Sequence, residues 1–125
     1  MKKIIHTSKA PEAVGSYSQA VEARGMLFVS GQLGIDPETG QLVDGGVGEQ
    51  TRCLLENLKT VLLAAGYNLN DVVKCTVFLK DIRNFQAMNE VYASFFEKDP
   101  PARAAFQVAA LPLGALVEIE AVAIR

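Results

Sequence analysis

The spacing of apolar positions shifts from two to about 3.6 and back along the chain, and those shifts predict its elements. Residues 2–6 read as a short strand ended by the polar run Thr7-Ser-Lys9. Residues 18–23 and 26–30 read as two strands across a tight turn at Arg24-Gly25. Asp36-Pro-Glu-Thr-Gly40 and Asp44-Gly-Gly-Val-Gly48 carry turn chemistry. From about Glu49 the period is helical, with Leu54, Leu58, Val61, Leu62 and Ala65 on one stripe and Gly66 placed to end it. Residues 72–80 alternate, which predicts Val73, Cys75, Val77 and Leu79 on one face and Lys74, Thr76, Phe78 and Lys80 on the other. A second helix carries Phe85, Met88, Tyr92, Phe95 and Phe96 until Pro100-Pro101 stops it, since proline lacks an amide donor and disfavours helix before it. Residues 103–108 and 116–124 read as two further strands flanking a turn at Leu111-Pro-Leu-Gly114.

Two helices cannot cover both faces of a six-stranded sheet, so their stripes are expected on one face, with water or a partner on the other. The last strand sharpens that expectation. One side carries Val117, Ile119, Ala121 and Ala123; the other carries Leu116, Glu118, Glu120, Val122 and Ile124. Neither side is plainly solvent-like, which predicts burial on both and acids enclosed in an oligomer interface. The reading is one domain over residues 1–125, forming a homo-oligomer with sites between subunits.

Composition changes the picture mainly by exclusion. Half the 125 residues are hydrophobic and 21% charged, with a formal net charge of −2. The only Lys/Arg run is Lys2-Lys3, so a nucleic-acid footprint is not expected. No run has signal-peptide or membrane-span length. Cys53 and Cys75 lack metal-ligand spacing and read as reduced core thiols, which places the protein in the cytoplasm.

The charged residues inside core-like strands are the candidate chemistry. Arg103 opens an apolar run, and Glu118 and Glu120 interrupt another; such side chains are seldom buried unless paired. Arg103 either forms a structural ion pair with one of those glutamates or grips a small carboxylate ligand with its guanidinium fork. An acid near it could hold a water for general-base catalysis. Asn89 falls inside the apolar stripe of the second helix and needs partners, for which a helix-to-loop brace is the plainer role. Tyr17, in Gly15-Ser-Tyr-Ser-Gln19, is a loop aromatic suited to packing or recognition.

Other chemistries find no support. Ser30 lacks the glycine two residues earlier that a nucleophile elbow requires, and His6 is the only imidazole. The glycines at 45, 46 and 48 precede a helix but match no P-loop. No metal-ligand cluster, dinucleotide fingerprint or cofactor lysine is evident. What remains is a reaction that needs positioning and electrostatics rather than a strong nucleophile, and imine hydrolysis fits.

Nearly end to end, the chain resembles the RidA family, also called YjgF/YER057c/UK114. The resemblance is carried by Ala10-Pro11, Gly15-Ser-Tyr-Ser-Gln19, Phe28-Val-Ser-Gly-Gln32, Asp36-Pro, Gly40, Thr51, Asn57-Leu58 and residues 73–79. It continues through Phe85, Asn89, Tyr92, Pro101-Ala-Arg103 and Glu118-Ile-Glu-Ala121. It implies an α+β, chorismate-mutase-like fold with a six-stranded mixed sheet, two helices on one face, and a homotrimer with clefts between subunits. It also implies hydrolysis of 2-iminobutanoate and 2-iminopropanoate, released by pyridoxal-phosphate enzymes, to 2-oxo acids and ammonia, without a cofactor or metal of its own. Carried over by position, Arg103 would hold the substrate carboxylate and Glu118 would orient or activate water. The backbone near Ala105 would bind the carboxylate or the imine-derived oxygen, while Tyr17, Ser30, Gly31 and Asn89 would shape the cleft. Some members have cysteine where Ala105 stands, so a covalent thiol role is not expected here. Phe106 is bulky enough to narrow the pocket if it points that way.

Two other functions compete. Some family members are described as endoribonucleases or translation initiation inhibitors, against which the acidic balance and single histidine argue. A non-catalytic trimer that binds 2-oxo acids would keep the arginine clamp without turnover.

Overall fold

The computed structural model describes residues 1–125. Its strands are β1 (Lys3–Ile5), β2 (Ala20–Ala23), β3 (Met26–Gln32), β4 (Val72–Leu79), β5 (Ala102–Gln107) and β6 (Val117–Ile124). Its helices are α1 (Val47–Ala64) and α2 (Phe85–Phe95). The strands form one sheet in the order β1-β2-β3-β6-β4-β5, in which only β4 and β5 pair in parallel. This is the expected α+β, mixed, six-stranded architecture.

The connections follow from sequence chemistry. Arg24 and Gly25 both have positive φ (51° and 75°), the backbone that a two-residue hairpin turn needs between β2 and β3. α2 is the crossover between parallel β4 and β5. α1 carries the chain from β3 to β4 across the slot that β6 later fills.

Both helices cover the same sheet face. Leu54, Leu55, Leu58, Val61 and Leu62 of α1 join Met88 and Tyr92 of α2 in one buried cluster. The sheet contributes Cys75, Val77, Leu79, Val117, Ile119, Ala121 and Ala123 to it. The other sheet face has no layer over it, and Phe28, Phe106 and Ile124 remain 44–46% exposed there. Thus one side of β6 is core as expected, while its Glu118 and Glu120 side is only partly covered within this chain.

One face assignment is corrected. Val73 is exposed and Val72 takes the core position, because a bulge separates the pairs Val72↔Ala123 and Lys74↔Val122. Strict alternation holds only from Cys75 onward. β2 also starts later than expected, at Ala20, because the Ser18 carbonyl is taken by the Ser30 hydroxyl rather than by a ladder. Cys75 is a core thiol, whereas Cys53 is only partly buried; burial pushes both above the ordinary thiol range. No helix is long and apolar enough to cross a membrane.

Buried amides brace the loops against α1. Asn57 donates through Nδ2 to the carbonyls of Leu33 (3.1 Å) and Ile35 (2.8 Å), and Gln50 Oε1 accepts from the Leu116 amide (2.9 Å). Asn57 is 3% exposed, so truncating it strands both carbonyls. Asn57→Ala is expected to lower stability by about 2–4 kcal/mol, read as a reduced urea midpoint at unchanged slope.

Candidate active site

Arg103 lies on β5 opposite Cys75, and Cys75 also pairs with Ala121, so Arg103 shares the helix-covered face. Phe85, Asn89 and Tyr92 of α2 stand four and three residues apart and form one stripe above it. The guanidinium donates from Nη1 to Asn89 Oδ1 at 2.7 Å. Its Cζ lies 4.7 Å from the Tyr92 ring centroid and 5.2 Å from that of Phe85. No carboxylate of this chain lies within ion-pair distance of it. The cleft beside it encloses about 320 Å³ and is lined by Asn89, Tyr92, Ala93, Phe96, Pro101 and Arg103, among others.

Two readings from the sequence are thereby settled differently. Arg103 is not the partner of Glu118 or Glu120 within the chain. Asn89 does not brace a loop; its amide oxygen holds the arginine.

β5 is an edge strand, and its free side adds donors. The Val108 amide donates inward to the Leu79 carbonyl. Alternation then turns the amides of Arg103, Ala105 and Gln107 toward the open edge. The Ala105 N–H therefore stands two residues from the guanidinium and is unpaired in the sheet.

Glu118 belongs to the opposite face. It pairs with Phe78, which also pairs with Phe106, and Thr76↔Glu120 continues the same side. Phe106 meets Phe78 edge-on at 5.4 Å, so it flanks Glu118 and does not narrow the Arg103 cleft of its own chain. Partial burial pushes the Glu118 carboxyl above the ordinary glutamate range, and the charge of Glu120 adds to the rise. A register shift between Val29 and Gln32 places Ser30 and Gly31 beside it. A Cβ at Gly31 would collide with the Glu118 carboxylate. Any larger residue there would displace the carboxylate.

The loop that precedes β2 completes this second surface. Tyr17 and Gly31 line one small cleft, together with Pro11, Gln19, Gln32 and others. Ser30 Oγ donates to the Ser18 carbonyl at 2.6 Å, so its hydroxyl ties the Tyr17 loop to β3. Gln19, unremarked from sequence beyond its motif, is 3% exposed. Its Oε1 accepts from the Thr7 amide, and its Nε2 donates to the carbonyls of Thr7 and Pro11. A buried glutamine in a polar loop was the signal available for it.

The expected site residues thus fall into two groups. Arg103, Asn89 and Ala105 lie together at β5 and α2, while Tyr17, Ser30, Gly31 and Glu118 lie together at β3, β6 and the loop before β2. Their separation defines a protein whose candidate anion grip and candidate base occupy different surfaces of one small α+β fold. The chain belongs to the Endoribonuclease L-PSP family, the RidA/YjgF family resembled above, whose model matches residues 7–125.

Known relatives span the whole chain. It is 53% identical over 125 residues to the 2-iminobutanoate/2-iminopropanoate deaminase of Rattus norvegicus, covering 100% of this chain and 91% of that protein. RidA from the Antarctic bacterium Psychrobacter is 49% identical, with a TM-score of 0.95 over 98% of this chain and 99% of that one. TdcF of E. coli, solved with bound serine, is 44% identical, with a TM-score of 0.94 over 98% of each chain.

The electrostatics of Glu118 give a direct check. Its carboxyl is expected to titrate above the ordinary glutamate range in carboxyl ¹³C NMR. Glu120→Gln removes a like charge and should move that titration down; an unmoved curve would mean the two carboxylates do not interact. Because the raised value belongs to the folded state, Glu118 lowers stability as pH climbs through it and has no such effect well below the ordinary range.

Proposed function

We propose that this chain hydrolyses 2-imino acids, 2-iminobutanoate and 2-iminopropanoate among them, to 2-oxo acids and ammonia. The observation that carries the reading is a guanidinium with no acidic partner, anchored by an amide and two aromatic rings at the mouth of a cleft. Full-length relatives bearing the deaminase name support it.

The two surfaces act together when supplied by neighbouring chains. The uncovered face with Phe28, Phe106 and Glu118, and the open edge of β5 with its free amides, are both suited to burial against another copy. The assembly we infer is the cytoplasmic homotrimer that the family resemblance implies, each site taking Arg103, Asn89 and Ala105 from one chain and Glu118, Gly31 and Tyr17 from the next.

In such a site the Arg103 fork and the Ala105 amide hold the substrate carboxylate and fix the imine carbon. The imine reacts in its N-protonated form: a water oxygen bonds to that carbon as Glu118 takes one of the water's protons, and the C=N π pair moves onto nitrogen to leave a neutral amine. Glu118 then returns the proton to the amine. The C–N bond breaks, the hydroxyl becomes the carbonyl, and its proton leaves with ammonia as ammonium. Glu118 must be ionised to take the water proton, and the Arg103 cation of the neighbouring chain would favour that form. Ser30 contributes by holding the Tyr17 loop, and its hydroxyl is already committed to Ser18. Ribonuclease chemistry has less support, since His6 lies exposed beside Glu12 and lines neither cleft.

Two outcomes test the reading. With a dehydratase generating imine in situ, Arg103→Ala should lose at least about a hundredfold in kcat/KM and Glu118→Gln about 10²–10⁴-fold in kcat. Co-refolding these two inactive variants should restore activity to about a quarter of wild type, because random pairing in a cyclic trimer rebuilds one intact site in four. No recovery in mixed trimers would show that both residues serve from the same chain.

A further inference from the structure

We propose that Tyr92 is a positioning residue: its ring, with Phe85 and Asn89 from the same stripe of α2, seats the Arg103 guanidinium without neutralising it. The inference rests on the deaminase reading and adds how the anion grip is kept ready.

A charge withdrawn from water is ordinarily balanced by a paired opposite charge. Here each neighbour is neutral. Asn89 offers an amide oxygen at 2.7 Å, and the rings of Tyr92 and Phe85 lie 4.7 and 5.2 Å from Cζ. Aromatic faces attract a cation through their quadrupole and leave its hydrogens unspent. With a single N–H given to Asn89, four of the five guanidinium donors remain for a ligand. A glutamate in place of either ring would hold the arginine as firmly but would compete with every incoming carboxylate.

The tyrosine hydroxyl points to the same role. Tyr92 is 4% exposed, and its buried Oη meets no oxygen or nitrogen partner, only the neighbouring Cys75 thiol. A thiol is a weak hydrogen-bond partner, so the hydroxyl gains little there, and it is the ring that meets the guanidinium. Cys75 sits directly opposite Arg103 on β4 and is fully buried, which closes the floor beneath the ring and the guanidinium alike.

The test compares Tyr92→Leu, Tyr92→Phe and Phe85→Leu, with calorimetric binding of 2-oxobutanoate and steady-state imine hydrolysis as readouts. Loss of the ring in Tyr92→Leu is expected to raise Kd and KM roughly three- to thirtyfold while kcat changes less. Tyr92→Phe should restore both, with a thermal midpoint no lower than wild type. Phe85→Leu, farther from Cζ, should shift Kd in the same direction by less, and it stands in if Tyr92→Leu does not fold. A purely structural Tyr92 would lower the thermal midpoint yet leave Kd alone in folded Tyr92→Leu or Phe85→Leu protein, and that result overturns the proposal. So does a Tyr92→Phe that binds as poorly as Tyr92→Leu, since the hydroxyl would then be the working group. Wild-type protein that neither binds 2-oxobutanoate nor hydrolyses imine would instead overturn the deaminase reading itself.

Discussion

A strand residue can present its side chain to only one face of its sheet, and that alternation separates Arg103 from Glu118. Arg103 follows Cys75 and Ala121 to the helix side, while Glu118 follows Phe78 and Phe106 to the bare side. No rotamer change moves either across the sheet. The chemistry attributed to the pair therefore needs a second chain, and the apolar groups left exposed beside Glu118 are what a second chain could cover. Oligomerisation on this account is part of the active site and not an addition to it.

Much of this organisation was legible in the sequence. Helical and strand periods located the six strands and both α-helices, but α2 ends at Phe95, before the Pro100-Pro101 pair expected to stop it. The mixed far side of β6 lies on the face that no other layer of this chain covers. What the pattern could not supply was register. Whether Arg103 and Glu118 share a face depends on how β5 and β6 each align with β4, which is set by packing across three strands. Val73 was misplaced for a related reason: one bulge residue inverts the parity of everything before it. Asn89 read as needing a partner, but that partner is Arg103, fourteen residues away on another element and beyond any periodic signal. Gly31 was named through the family resemblance alone, and its contact with the Glu118 carboxylate depends on a register shift that no local pattern shows.

The two halves also differ in how they treat charge. Arg103 sits between a neutral amide acceptor and aromatic rings, so its field is not spent inside the chain. Glu118 is partly desolvated beside a like charge, which favours its protonated form. Bringing the halves together would place a cation near an acid that burial alone destabilises when ionised, and each would ease the other's cost.

Gln19 bears on how such a seam could assemble. Its buried amide fastens the segment from Thr7 to Pro11, and Ser30 fastens Ser18, so the stretch bearing Tyr17 is cross-tied on both flanks. A segment fixed in this way has already surrendered its chain entropy during folding. An incoming subunit would dock on a rigid template, and the free energy of association would go into contact instead of loop ordering.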